Sequence, residues 1–380
     1  MSTRTCQLKS AGQSLWLDNI QRRELHDGTL KQMIETDGIC GITSNPSIFM
    51  NAVSKSADYD AQIRLLAGQG AAPEAIYHAV TVQDIRDAGT LLLPVYEQTA
   101  HEDGFVSIEL NPQLAFKVAE SISQARALIA EIGLPNIMIK VPGTKEGLQV
   151  VRQLLTDGIN VNITLLFNPE RYRQVALTYL EALEARMEQG KPLADIHSVA
   201  SFFISRIDTK VDGQIDKLEA GSPLRGKAAI QVAKVTYMIF KQLFFSERFK
   251  KIASAGGRIQ RVLWASTGTK DPKFSDVLYV DTLIGPHTIN TLPPKTIDAF
   301  RDHGTVAQTI ETDIDKAPGT LAQIESTGVS LEKIYADLEA EGVKAFETAY
   351  LDLLKAIADK AGALSGVSCS ASGCMCSKDQ

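Results

Sequence analysis

One lysine stands out by its setting. In NIMIKVPGTKEGL, residues 136–148, Lys140 closes a run whose other members, Ile137, Met138, Ile139 and Val141, read as a fully buried β-strand. A strand-end lysine can simply snorkel, with its stem on apolar surface and its ammonium in water. Desolvation offers it different chemistry. At its ordinary pKa of about 10.4 a lysine is neutral in roughly one molecule in 2,500 at pH 7, whereas burial that brought it to about 7 or 8 would leave tens of per cent as free amine. A neutral amine adds to a carbonyl, and the protonated imine so formed draws electrons from a breaking carbon–carbon bond without any metal.

Other residues able to share in such chemistry stand near the ends of other apolar runs. They are Asp18 in LWLDN, Asn45 in GITSNPSIF, Glu109 in VSIEL, Asn162 and Thr164 in VNITLL, and Ser201 in SFFISR. Each has an ordinary structural use. Asp18 could be a helix N-cap, Asn45 before Pro46 a turn former, and Glu109 a solvated loop residue, while Thr164 and Ser201 could merely satisfy backbone groups. Those uses would have to coincide on one face, because side chains two apart on a strand share a side. Asp18 lies on Trp16's side, opposite Leu15 and Leu17. Glu109 lies with Ser107 against Ile108 and Leu110, Asn162 with Thr164 against Ile163 and Leu165, and Lys140 with Met138 against Ile139.

The elements that must hold these residues follow from the spacing of the runs. Short β-rich runs begin near Leu15, Ile39, Phe105, Asn136, Asn160, His197, Arg261 and His287, and segments of helical periodicity such as KEGLQVVRQLLTDG and ERYRQVALTYLEALEARMEQ lie between them. Eight βα units over most of a 380-residue chain predict a (β/α)₈ barrel with additional helices, with a doubly wound open sheet as the rival. The consistent polar side at the strands' C-terminal ends favours the barrel, whose mouth gathers side chains from several strands. The expected organisation is one barrel domain over residues 1–362, with helical insertions near 50–100 and 208–258. Tyr237, Phe240, Phe244 and Phe245 of the second insertion read as core, and the helices after Leu331 as packing outside the barrel or across its mouth.

Composition narrows the field. The chain is 44% hydrophobic with a formal net charge of −6 and has no basic block, so nucleic acid is a poor partner. No stretch approaches the about 20 apolar residues of a membrane span, and the N-terminal residues lack an apolar targeting core, so a cytoplasmic protein is expected. The six histidines are scattered and there is no G-x-S-x-G elbow, so neither a metal site nor a serine hydrolase is expected, and no cofactor is called for. Residues 363–380 form a Gly/Ser-rich tail, expected to be flexible, carrying Cys369, Cys374 and Cys376. These read as exposed thiols, with a redox or soft-metal role left open.

Taken together, SLWLDNI, GITSNPSIF, VSIEL, IMIKVPGTKEGL, GINVNITLLF, SFFISRID and NTLPP resemble the transaldolase family, of the longer subclass, from Leu15 to about Ala361. The resemblance implies a barrel that transfers a dihydroxyacetone unit from sedoheptulose 7-phosphate or fructose 6-phosphate to glyceraldehyde 3-phosphate or erythrose 4-phosphate, in the pentose phosphate pathway. It implies that Lys140 forms the imine, that Asp18 moves the proton of the C4 hydroxyl, and that Glu109 serves imine formation and hydrolysis through a water held by Thr164. Asn45, Asn162 and Ser201 would hold the retained unit's hydroxyls. Arg206 matches the family's phosphate ligand, and a guanidinium suits a dianion. After the seventh run the chain reads WASTGTKDPKF, where Ser266 fits, and the cation, if this stretch supplies one, is Lys270. A class I aldolase that releases the three-carbon unit, and a non-catalytic barrel kept for binding, are the alternatives. The oligomeric state stays open.

Overall fold

The computed structural model describes residues 3–218 and 221–364. Eight strands form a closed barrel in sequence order: β1 (Gln13–Leu17), β2 (Ile39–Ile42), β3 (Phe105–Glu109), β4 (Ile137–Pro142), β5 (Val161–Leu166), β6 (Ser198–Phe203), β7 (Arg261–Ala265) and β8 (Thr288–Leu292). All neighbours are parallel, and β8 closes the ring on β1 with Asn290 opposite Leu15. No strand starts more than two residues from where its apolar run begins. The near-continuous burial of these strands follows from the architecture, since helices cover the outside and side chains fill the inside.

The segment between β4 and β5 shows how one βα unit is specified. Thr144 accepts the Gly147 amide at 3.0 Å and caps the helix Lys145–Asp157, which ends at Gly158 with φ +98°. Val150, Val151, Leu154 and Leu155 bury one stripe of that helix, each side chain contributing about 1.5–3 kcal/mol. Gly147 is required there, because a Cβ would lie 1.9 Å from the Pro142 carbonyl oxygen. GTKEG is thus a turn that feeds a helix directly behind the lysine strand.

Trp16 fills the barrel interior, and β2 passes beside its indole only because residue 41 is glycine: a Cβ there would stand 2.4 Å from the ring. At the N-terminal end Asp103 accepts from Ser14 Oγ at 2.8 Å, Trp16 Nε1 at 3.2 Å and Arg261 Nη2 at 2.8 Å. This network plugs the end away from Lys140.

The two long gaps between strands are helical. Asp60–Gly68 and Pro73–Gln98 fill the first, and Ser205–Leu218, Ala228–Phe244 and Glu247–Ser254 the second. Tyr237, Phe240 and Phe244 are buried as expected, but Phe245 is 53% exposed. The chain leaves the helix at that residue, and its ring turns outward over Phe240 and His287, with centroids 6.1 and 6.0 Å away. Beyond Leu331 one helix, Leu331–Leu364, packs on the helix Pro46–Lys55 and carries Phe346 over the C-terminal mouth. No helix among the described residues is long and apolar enough to cross a membrane. Cys369, Cys374 and Cys376 lie outside the described residues.

Candidate active site

The register of β3 against β4 sets Glu109 beside Lys140. The Lys140 side chain is 5% exposed and that of Glu109 7%. Lys140 Nζ donates to the Ser44 carbonyl oxygen at 2.9 Å and lies 3.5 Å from Glu109 Oε2. Ser44 is itself fixed by its hydroxyl, which donates to the Ser107 carbonyl at 2.8 Å. Burial pushes the Glu109 carboxyl up to about 7, opposed by the Lys140 charge and assisted by that of Asp18. Such a carboxyl exchanges protons near neutrality, and it does so beside the Lys140 side chain.

Asp18 stands one residue past β1, its amide still bonded to the Leu292 carbonyl at 2.8 Å. Thr43 Oγ1 donates to Asp18 Oδ1 at 2.7 Å and lies 2.6 Å from Thr291 Oγ1. The Thr43 hydroxyl has one proton, so when it serves Asp18 the Thr291 hydroxyl must donate to Thr43. Burial raises the Asp18 carboxyl above the ordinary range, while the Thr43 bond, Lys140 and Lys270 pull it back. The two carboxyls therefore stand in different surroundings, one beside the lysine and one across from it.

The mouth encloses a cavity of about 290 Å³ lined by Asp18, Asn45, Lys140, Thr164, Ser201, Arg206, Ser266 and Lys270, with Thr43, Phe203, Thr291 and Phe346 among its other walls. Asn162 is not at the wall. It is fully buried beneath it, donating to Ser107 Oγ at 3.0 Å and accepting from Ser201 Oγ at 2.6 Å, so its effect on the cavity passes through Ser201. Glu109 lies on the far side of Lys140, facing a smaller cavity of about 30 Å³. Thr164 Oγ1 is buried with no hydrogen-bond partner among the described residues, just before the bulge in β5 where Leu165 takes φ +61°. Asn45 serves both the fold and the cavity. Its Oδ1 accepts the Ile48 amide at 3.0 Å and caps the helix Pro46–Lys55, which leaves its amide nitrogen to the cavity.

Two cations, Arg206 and Lys270, line the cavity. Arg206 lies beyond β6 in the first turn of the helix Ser205–Leu218, which explains why it does not follow the strand's alternation. Its guanidinium sits 5.5 Å from the Phe203 ring centre, and burial weakens its hold on the proton, an effect opposed by Glu341. Ser266 takes φ +55° and its Oγ lies 3.0 Å from that of Ser205. The loop bearing Lys270 is tied down by Asp271, which meets Arg225 at 2.8 Å, and Arg225 in turn meets Asp216 at 3.1 Å.

Thr43, Thr291 and Phe346 are site residues that the sequence reading passed over. Thr43 was within reach of the same alternation, two residues before Asn45 and on its side. Nothing local marks Phe346, since helical periodicity tells which face is buried and not against what.

The chain has relatives. The sequence pattern of the transaldolase/fructose-6-phosphate aldolase family matches residues 15–357. The chain is 41% identical to the transaldolase of Saccharopolyspora erythraea, over 93% of this chain and 96% of the relative. It is 42% identical to transaldolase 2 of a Nostoc species, over 95% and 98%. With the transaldolase of Thermobifida fusca the identity is 44%, over 94% and 98%. Likeness of this extent, on a closed eight-stranded barrel with a buried lysine at its mouth, makes the chain a member of the transaldolase/fructose-6-phosphate aldolase family.

Proposed function

We propose that this protein is a transaldolase of the cytoplasm and the pentose phosphate pathway, which moves a dihydroxyacetone unit from a ketose phosphate to an aldose phosphate through an imine on Lys140. The observation that carries the reading is the buried Lys140, 3.5 Å from Glu109 on one side and lining on the other a cavity that Asp18 also lines. Lys140 passes a proton to Glu109 and adds as free amine to the C2 carbonyl of sedoheptulose 7-phosphate or fructose 6-phosphate. Loss of water gives the iminium, with Glu109 returning a proton to the leaving hydroxyl. Asp18 then takes the C4 hydroxyl proton, the C3–C4 bond breaks, and its electron pair moves toward the iminium nitrogen. The aldose leaves, and the three-carbon enamine stays.

Glyceraldehyde 3-phosphate or erythrose 4-phosphate accepts the unit by the reverse steps: the enamine carbon attacks the aldehyde, and Asp18 returns its proton to the new alkoxide. Thr164, Asn45 and Ser201, the last held by Asn162, are suited to water and to the hydroxyls of the retained unit. Arg206, Ser266 and Lys270 would take the phosphate, and Arg206 offers two parallel donors for its oxygens.

The test has two arms. Borohydride reduction in the presence of fructose 6-phosphate, followed by peptide mapping, should place a stable adduct on Lys140. Product analysis should show aldose exchange with erythrose 4-phosphate and little free dihydroxyacetone without it. An unlabelled Lys140 would end the imine mechanism, and dihydroxyacetone released at full rate without acceptor would make the protein an aldolase.

A further inference from the structure

We propose that Phe346 keeps bulk water away from the bound three-carbon intermediate, and so determines whether the unit is transferred or released. The inference rests on the reading of Lys140 as the imine-forming residue. Two cavities meet at that lysine: one of about 290 Å³ lined by Asp18, Arg206 and Lys270 among others, and one of about 30 Å³ beside Glu109. Among the described residues only Lys140 and Phe346 line both. The partition between the two spaces is therefore the nucleophile and one ring. That ring is 9% exposed, and its centre lies 5.7 Å from Lys140 Nζ.

The ring is held as a wall. Its helix, Leu331–Leu364, is pinned near Phe346 by Glu341 to Lys210 at 2.5 Å, and further on by Lys360 to Asp60 at 2.7 Å. Gly342 lets the helix settle onto β5: a Cβ at that position would stand 3.0 Å from Leu165 Cδ2. Leu165 and Val343 then continue the wall of the small cavity, which is mostly apolar, with Glu109, Lys140, Asn111 and Ser121 as its polar residues, and has room for one or two water molecules.

The chemistry explains what such a wall would do. Release in place of transfer requires a proton on the enamine carbon, which restores the iminium. One water then adds to C2 and gives a proton to Glu109, the nitrogen takes that proton, and the C2–N bond breaks as the C2 hydroxyl gives up its proton, replacing the one delivered to the enamine carbon, to leave dihydroxyacetone and the free amine. One water is consumed, and nothing is oxidised or reduced. The productive cycle also needs one water at C2, after transfer, to free the new ketose. A cavity holding one or two waters beside Glu109 provides for that step. A continuous water column through both cavities would protonate and hydrolyse the enamine before an acceptor arrived.

The experiment compares wild type, Phe346→Ala and Phe346→Leu. With fructose 6-phosphate as donor, dihydroxyacetone release and transfer to erythrose 4-phosphate are measured together, and their ratio is the readout. Loss of folded protein lowers both channels equally and leaves the ratio unchanged. Phe346→Ala should raise the ratio of release to transfer by about tenfold or more, with Phe346→Leu between the two and borohydride still labelling Lys140 in all three. A wild-type ratio in Phe346→Ala, with Lys140 labelled, overturns the inference and leaves the proposed function intact. Should the alanine variant fail to fold, a wild-type ratio in Phe346→Leu and Phe346→Val overturns it equally. Failure to label wild-type Lys140 would instead sink the underlying mechanism.

Discussion

Replacing Thr43 by valine deletes one hydroxyl and nearly preserves shape, which isolates the bond to Asp18. That bond is 2.7 Å long, and its acceptor is ionised when Asp18 acts as base. Hydrogen bonds to charged groups contribute about 1.5–3 kcal/mol, and 1.36 kcal/mol corresponds to one pKa unit. The bond favours the carboxylate, so its loss favours the acid form, and the base becomes available only at higher pH. The acid limb of the kcat/KM profile for fructose 6-phosphate should therefore move upward by about one to two pH units in Thr43→Val. Thr291 loses its acceptor in the same variant, at a cost of about 1–3 kcal/mol of stability, readable as a lower denaturant midpoint. Thr43→Ser keeps the hydroxyl and should keep the wild-type limb. The measurement is a set of initial rates from pH 4 to 9 on variants that still melt cooperatively and still form the borohydride adduct. An acid limb in Thr43→Val that stays in place or moves down would refute the assignment of Asp18 as the base held by Thr43.

Lys140→Arg should fold normally yet lose transfer and adduct formation, since a guanidinium keeps the charge but does not deprotonate; turnover above about 1% of wild type would contradict the imine. Arg206→Gln should raise KM for fructose 6-phosphate by about 10- to 100-fold, the worth of a charge-assisted bond, and should do so far less for a donor without phosphate. Lys270→Gln, on an exposed loop, should have a smaller effect of the same kind, and equal losses on both donors would remove these cations from the phosphate role. Gly41→Ala places a Cβ 2.4 Å from the Trp16 ring and should lower stability by about 1–3 kcal/mol in denaturant titration. An unchanged midpoint would mean that the indole has room to move.

The strands were legible because parallel barrel strands are buried on both sides and leave short unbroken apolar runs between helical segments. Polar residues on one side of those runs, Lys140 beside Met138 and Thr164 beside Asn162, pointed to a shared interior for a reason independent of any relative. Asn162 shows how far alternation reaches. The pattern tells that it faces inward, not how deep it lies, and it sits a layer below the cavity, bonded to Ser107 and Ser201. Phe245 shows another limit: next to three buried aromatics in a helix, it falls where the helix ends and the periodicity no longer governs. Phe346 depends on where a helix distant in the chain crosses the mouth, which local patterns do not encode.

The ring of strands closes where the first meets the last, and the proposed base is held across that seam. Asp18 follows β1, Thr43 follows β2, and the hydroxyl that completes their chain belongs to Thr291 on β8. Pairing β1 with β8 joins segments from opposite ends of the polypeptide, the slowest kind of contact for a folding chain to make. Secondary structure and much of the barrel wall can form before that event, but a correctly tuned Asp18 cannot. Regained activity in a refolding experiment is thus a clock for ring closure, and should lag behind the far-ultraviolet circular dichroism signal.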